Sequence, residues 1–424
     1  MDILYRARYL VPIVAPVIES GGLLVRRGQI VDVGRADELS AASPKAKVVD
    51  FGDDAVLLPP LVNAHTHLEL THFPQWARAL GESSPGDDFI DWIKHVIRVK
   101  RSLKPEQFTA SIKDGIQACL ASGTGAVGDI LSWFPAREAF RQCPLFGRLY
   151  LETLGRDPAH ARHILQGLGK ITREVVSGRL RLGISPHSLY NLSSEYLEDL
   201  LSYAHRHSLP LAIHIAESRE ETEFLLHSRG PLVDRLYPYV GWQDMVPMPV
   251  GQTPVAYLEA KGGLKPDNLL IHGVHVTPDE CQAIARRGAT VVLCPRSNAR
   301  LGVGTAPISD YLEAGVDLAL GTDSPASNDS LSMWDELAFA RKVYAGSVEP
   351  QMLLRMATRN GACAIGLCSD MGSFSPRMSA HFQAVHLDNL PAIGDLEEAL
   401  VSSGKDVKVL SLVLAGREIF TLDS

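Results

Sequence analysis

Two histidines one residue apart, His65-Thr66-His67, close an apolar run that starts at Leu57. On a strand, residues i and i+2 share a face, so these two imidazoles can converge on one point. Imidazole is the commonest side-chain ligand for zinc and also suits iron. A lone His-x-His is a weak signal, since two polar residues on a strand read the same way, and further ligands are needed. The chain supplies them at the ends of other short apolar runs: Ser185-Pro186-His187, His214-Ile215-Ala216-Glu217, His272-Gly273-Val274-His275 and Gly321-Thr322-Asp323-Ser324. Six of the 15 histidines fall at these places.

Three imidazoles and one carboxylate form a catalytic metal site that leaves a position for water. The set expected here is His65, His67, His214 and Asp323, holding one divalent ion, zinc with iron as the alternative. Such an ion lowers the pKa of a bound water from 15.7 to roughly 7. Glu217, three residues past His214, is placed to shuttle a proton without binding the metal; the plain alternative is a solvated glutamate favoured by a helix N-terminus. Asp323 can also accept the proton of the water. His272 is expected to orient the attacking water or stabilise charge on the attacked carbon. His187 is the expected substrate ligand, and His275 is read as structural. No lysine ends the fourth apolar run, where some barrels bridge two metals with a carboxylated lysine, so one metal is expected.

These residues need a scaffold that brings distant strand ends together. Eight runs read as strands: Leu57–Asn63, Gly125–Ile130, Gly147–Leu154, Leu180–Ser185, Leu211–Ala216, Asn268–Gly273, Thr290–Cys294 and Val316–Gly321. They alternate with helix-length segments, which predicts a parallel sheet, and eight units predict an α/β fold of the (β/α)8 TIM-barrel type with active residues at the C-terminal strand ends. Long segments after Asn63 and after His214 predict loops or extra helices over that end. Residues 1–58 carry a hairpin signature, Gly22–Val25 and Gln29–Val33 about Gly28, and Tyr9–Ile18 reads as an edge strand and turn. Phe382–His386 and Val407–Val413 are also strand-like. The expected organisation is a small composite β-sandwich from 1–58 and 372–424, with a hydrolase barrel over 59–371.

Composition limits the alternatives. The 424 residues are 46% hydrophobic and 21% charged, ordinary values for a globular enzyme. A net charge of −8 argues against a general nucleic-acid binder, which would show a basic face. No run approaches the ~20 apolar residues of a membrane span. Pro12 and Pro16 interrupt the apolar stretch that could imitate a signal peptide, so a cytoplasmic location is expected. The six cysteines form no Cys-x-x-Cys pair and read as buried thiols of a reducing compartment.

The motifs together carry a resemblance. Pro60-Leu-Val-Asn-Ala-His65-Thr-His67, His214-x-x-Glu217, the His272 segment, Cys294-Pro-Arg-Ser-Asn298 with Leu301-Gly302-x-Gly304-x-Ala306-Pro307, Gly321-Thr-Asp323-Ser324 and Ser327-Asn328-Asp329-Ser330-Leu331 span most of the chain. They are similar to those of the amidohydrolase superfamily, in its branch of adenine-type deaminases and chlorohydrolases. The resemblance implies a mononuclear zinc or iron hydrolase that commonly deaminates a purine-like ring, with His187 and Glu217 touching that ring. It also suggests a homodimer and a small-molecule nucleoside substrate. One departure concerns the place after Trp92, where adenosine-like members often carry a glutamate for the ribose; here stands Arg98-Val99-Lys100-Arg101. The plain reading is a solvated basic helix face, but a basic pocket would suit an acidic substrate. The opening His-Thr-His-Leu-Glu-Leu resembles the 6-aminodeoxyfutalosine deaminases of the futalosine route to menaquinone, whose substrate joins an adenine nucleoside to a benzoate. Arg98, Lys100, Arg101 and Arg148 are the candidates to meet that carboxylate. The alternatives keep the metal site and change the substrate: S-adenosylhomocysteine, methylthioadenosine, guanine or a chlorotriazine. A barrel without catalysis, serving assembly, is the non-enzymatic alternative.

Overall fold

A computed structural model describes residues 2–83, 85–86, 88–172 and 178–422. Residue 1 and residues 423–424, the outermost parts of the terminal segments, lie outside the described residues.

The first three strands are β1 (Asp2–Leu10), β2 (Ile18–Arg26) and β3 (Gln29–Arg35), an antiparallel meander in which Arg27 and Gly28 make the second turn. Next come β4 (Lys47–Asp50) and β5 (Ala55–Leu58), both parallel to β1. β1 is therefore interior to the sheet rather than the expected edge, because its outer positions pair with β4 and β5 as well as β2.

The apolar run predicted as one strand from Leu57 to Asn63 is two. Pro59 and Pro60 have no N–H to give to a ladder, so pairing stops there. β5 ends at Leu58 in the terminal sheet, and β6 (Leu61–Thr66) starts the parallel part of the chain. It is followed by β7 (Thr124–Leu131), β8 (Phe146–Thr153) and β9 (Leu180–Pro186), which form one four-stranded parallel sheet with β6. β10 (Ala212–Ile215), β11 (Leu269–His272), β12 (Thr290–Leu293) and β13 (Leu318–Leu320) form a second. Parallel bridges join the two sheets at both seams, Ile184 to Leu211 and Thr66 to Asp323. Every residue of β6, β7, β10, β11, β12 and β13 is buried, the near-continuous apolar pattern of parallel strands covered on both faces.

The chain ends with β14 (Phe382–His386), β15 (Lys408–Leu414) and β16 (Arg417–Thr421). β14 pairs antiparallel with β5, so both termini meet in one eight-stranded sheet. The long segments after β6 and β10 are helical. The first includes the helices Phe89–Arg101 and Pro105–Ala121, the second Arg219–His227 and Pro254–Ala260. Cys119, Cys143, Cys281 and Cys294 are free and buried, as expected. Cys363 and Cys368 differ: the turn that ends the helix Arg359–Ala364 folds back and brings them into a disulfide. No helix among the described residues is long and apolar enough to cross a membrane.

Candidate metal centre and active site

The seam between β6 and β13 sets the centre of the site. Asn63 accepts from Thr322 N at 3.0 Å and donates to Thr322 Oγ1 at 2.7 Å. Asp323 N donates to His65 O at 3.1 Å, and Thr66 Oγ1 donates to Asp323 O at 2.9 Å. A Cβ on Gly321 would stand 2.8 Å from the backbone of His65, so only glycine lets the two segments approach this closely. Asp323 takes a left-handed backbone (φ 57°), which turns its side chain back toward the histidines.

Around this seam the structure brings together His65, His67, His214, His272, Glu217 and Asp323, all buried. Asp323 Oδ1 lies 3.4 Å from His65 Nε2 and 3.6 Å from His67 Nε2. The Nε2 atoms of His67 and His214 are 3.4 Å apart. His65, His67 and Asp323 form one group able to hold an ion, and His65, His214 and His272 form an overlapping one. His272, expected only to orient the reaction, thus also stands within reach of the ligand cluster. Glu217 Oε1 is 3.4 Å from His272 Nε2.

The donor set fits a divalent ion. Among the described residues, neither buried ring nitrogen of His65 has a hydrogen-bond partner. His214 Nδ1 donates to His187 O at 2.9 Å, which leaves its Nε2 lone pair facing His67. Burial lowers the pKa of His67 to about 4 and that of His214 well below its ordinary value, so both rings are neutral near pH 7. Burial likewise lowers His272 to about 4. Burial opposes ionisation of Asp323, but the approach of His65 and the surrounding imidazoles hold its carboxyl well below the usual range. Neutral imidazoles around one ionised carboxylate, with a buried nitrogen pair at 3.4 Å, leave lone pairs that a cation satisfies.

Neighbouring side chains fix these groups, as partners of metal ligands commonly do. Ser297 Oγ and Ser327 Oγ donate to Asp323 Oδ2 at 2.7 and 2.6 Å, so Oδ1 faces the histidines. Asn298 Oδ1 meets His272 Nδ1 at 2.9 Å. Glu217 lies two residues past β10, and Ser218 caps the helix Arg219–His227. Burial, then the charges of Asp323 and Glu221, push the Glu217 carboxyl well above the usual carboxylate range. His187 lies just past β9 and is half-buried, with Nδ1 2.7 Å from Glu152 Oε1. His275 bonds Val303 O at 2.8 Å, a structural contact.

The site opens into a cavity of about 370 Å³. One stripe of the helix Phe89–Arg101 lines it, with Trp92, Ile93, Val96, Ile97, Lys100 and Arg101 recurring at helical spacing. Leu236, Val240 and Trp242 form the facing wall. The basic candidates separate here. Arg98 is paired with Glu82 at 3.0 Å and does not line the cavity. Arg148 lies near the start of β8, away from the site, where its guanidinium donates to Leu182 O. Lys100 lines the cavity but is tied to Glu69 at 2.9 Å and Ser132 at 2.6 Å. Arg101 lines it with its guanidinium 5.9 Å from the Tyr239 ring centre.

Sequence reasoning missed Glu152 and the roles of Ser297, Asn298 and Ser327. Glu152 stands at the C-terminal end of β8, and that position alone was its signal. The other three lie in motifs already noted, but motif membership did not say which side chain each would hold.

Comparison with known proteins agrees with this architecture. The chain is 35% identical over 362 residues to an aminodeoxyfutalosine deaminase of Deinococcus radiodurans, covering 82% of this chain and 81% of that one. It is 32% identical over 420 residues to a 5-methylthioadenosine/S-adenosylhomocysteine deaminase of Haloarcula marismortui, covering 91% and 90%. The crystal structure of Helicobacter pylori aminofutalosine deaminase superposes with a TM-score of 0.83 at 22% identity, over 99% of this chain and all of that one. That likeness speaks for the fold, a TIM-barrel type with a sheet domain. The amidohydrolase family profile matches residues 56–419, which contain the whole histidine and carboxylate cluster, and with it the chain belongs to the amidohydrolase family.

Proposed function

We propose that this enzyme hydrolytically deaminates the adenine ring of a nucleoside, acting on a cyclic amidine C–N bond, and that 6-aminodeoxyfutalosine is its best substrate. The observation that carries this reading is the buried Glu217 carboxyl, 3.4 Å from His272 Nε2 and lining the same cavity as His67, His214 and Asp323. His65, His67, His214 and Asp323 would hold one divalent ion, zinc or iron, which when bound activates water for attack at neutral pH. Asp323, its far oxygen held by two serines, takes the proton of the attacking water. Glu217 gives its proton to the ring nitrogen next to C6, so the C6–O bond forms as that nitrogen becomes N–H. His272, oriented by Asn298, stabilises the charge developing at the attacked carbon. Asp323 then passes the proton it took from water to the exocyclic amino group, the exocyclic C6–N bond breaks and ammonia leaves, and the C6 hydroxyl returns a proton to Glu217 as the carbonyl forms. His187 holds the purine.

The cavity walls support an aryl-bearing substrate. Beyond the reacting end they are mainly apolar, and Arg101 offers a charge suited to a carboxylate. Among the described residues, the acidic ones that line the cavity, Glu152, Glu217 and Asp323, all belong to the catalytic end, and none stands at the outer end to pair with the ammonium of an amino-acid tail. Methylthioadenosine or S-adenosylhomocysteine, carried by the name of the second relative, is the other reading, because the same machinery would deaminate either one. This reading places the enzyme in the futalosine route to menaquinone, in the cytoplasm, as a homodimer. It also takes 59–371 as a closed (β/α)8 barrel and the terminal segments 1–58 and 372–424 as a β-sandwich domain.

The test is the absorbance change from adenine to hypoxanthine across a nucleoside panel with and without a benzoate arm. The benzoate-bearing nucleoside should be turned over best. Faster turnover of adenosine, methylthioadenosine or guanine would overturn the substrate and leave the metal site standing.

A further inference from the structure

Glu152 and His187 sit on neighbouring strand ends. In the β8–β9 register Glu152 is opposite Ser185 and Thr153 is opposite Pro186, and His187 N donates to Thr153 O at 2.9 Å. The backbone of His187 is thereby fixed to the end of β8. Its carbonyl accepts from both the backbone N and Nδ1 of His214, each at 2.9 Å, and the two rings lie tilted by 38° with centres 4.6 Å apart. The His187 ring is bounded by His214 and by Glu152, whose side chain is only 5% exposed. The Glu152 carboxylate meets Nδ1 at 2.7 Å, so Nε2 is the ring nitrogen left to the cavity that both residues line.

We infer that Glu152 is a positioning residue: it fixes His187 with Nδ1–H donated to its carboxylate and Nε2 presented to the bound substrate. A histidine nitrogen is committed by the hydrogen bond its other nitrogen makes. The inference rests on the reading that the cavity takes a nucleobase at His187. The lysine beside this pair is already in place. Lys100 is held by Glu69, which also accepts from the backbone N–H groups of Ser132 and Trp133, so a cation on the same cavity wall stays put when Glu152 changes.

The test uses the full-length, metal-loaded enzyme. Glu152→Leu removes the acceptor, and Glu152→Gln keeps a carbonyl oxygen in its place. Losing one hydrogen bond that orients a substrate ligand should raise KM for the best adenine nucleoside by ~10-fold, with metal content unchanged. Glu152→Gln should restore most of that loss. In a His187→Ala background Glu152→Leu should add nothing, because the two residues act as one unit. Nitrogen-15 shifts of His187 should report Nδ1–H in the wild type and in Glu152→Gln, and a mixture of tautomers in Glu152→Leu. Multiplying effects in the double variant, or Nε2–H in the wild-type spectrum, would overturn the inference. If no adenine nucleoside is turned over at all, the functional reading fails, and the nitrogen shifts still decide the positioning role.

Discussion

Glu217 shows how burial, with charged neighbours, can prepare a residue for chemistry. Its carboxyl is closed in by β10 and the helix that follows, its backbone N–H is taken by Glu221 Oε2 at 3.1 Å, and its side chain faces His272. Desolvation and two nearby carboxylates shift the Glu217 carboxyl toward its protonated form, the direction a donor to a ring nitrogen needs. Glutamine keeps the size and removes the proton. Glu217→Gln should leave fold and metal content intact and lower kcat by at least ~10²-fold, the low end for general acid–base catalysis. Steady-state kinetics beside metal analysis is the measurement, and near-normal turnover would return Glu217 to a purely structural role. Asp323 illustrates the complementary case, an anion kept ionised and aimed by two serine hydroxyls on its far oxygen.

At the scale of elements, the site depends on how closely β13 approaches β6. Gly321 touches the His65 backbone, so a methyl group there must push the strand ends apart. Gly321→Ala should cost about 1–3 kcal/mol, the usual range for overpacking, and should weaken metal binding because His65 and Asp323 separate; thermal unfolding with and without added metal reads both effects. The parallel strands were legible in the sequence because buried parallel strands are short continuous apolar runs, and their order put His65, His214, His272 and Asp323 at matching ends. The break at Pro59-Pro60 was less visible, since the apolar run continues on both sides of it and only the missing N–H groups divide it. Arg148 was chosen for its charge alone, although its place at the start of the strand predicted over Gly147–Leu154 already set it at the end opposite the site. Glu152 has only its place near the end of a predicted strand as a mark: its partner is 35 residues away, just past the next strand, and only the register joins them. The Cys363–Cys368 contact depends on a turn that periodicity does not describe.

At the scale of the whole molecule, the proposed ligands come from both parallel sheets. His65 and His67 lie on or just past β6, the first strand of one sheet; His214 lies on β10 and Asp323 follows β13, the two outer strands of the other. One ion would therefore tie the two sheets together at the β6–β13 seam, and its binding energy would count toward the stability of the fold. A single tightly bound divalent ion per chain is the expected stoichiometry, because the two candidate ligand groups share His65 and cannot be filled separately. Elemental analysis should give one metal per active chain, and mild chelation should abolish turnover and lower Tm together. His214→Ala should lose the ion, whereas Asn298→Ala, which acts only on His272, should retain it and lose rate. Two metals per active chain, or full activity after the metal is removed, would defeat this arrangement, since the orphaned nitrogens of His65 would then need another partner.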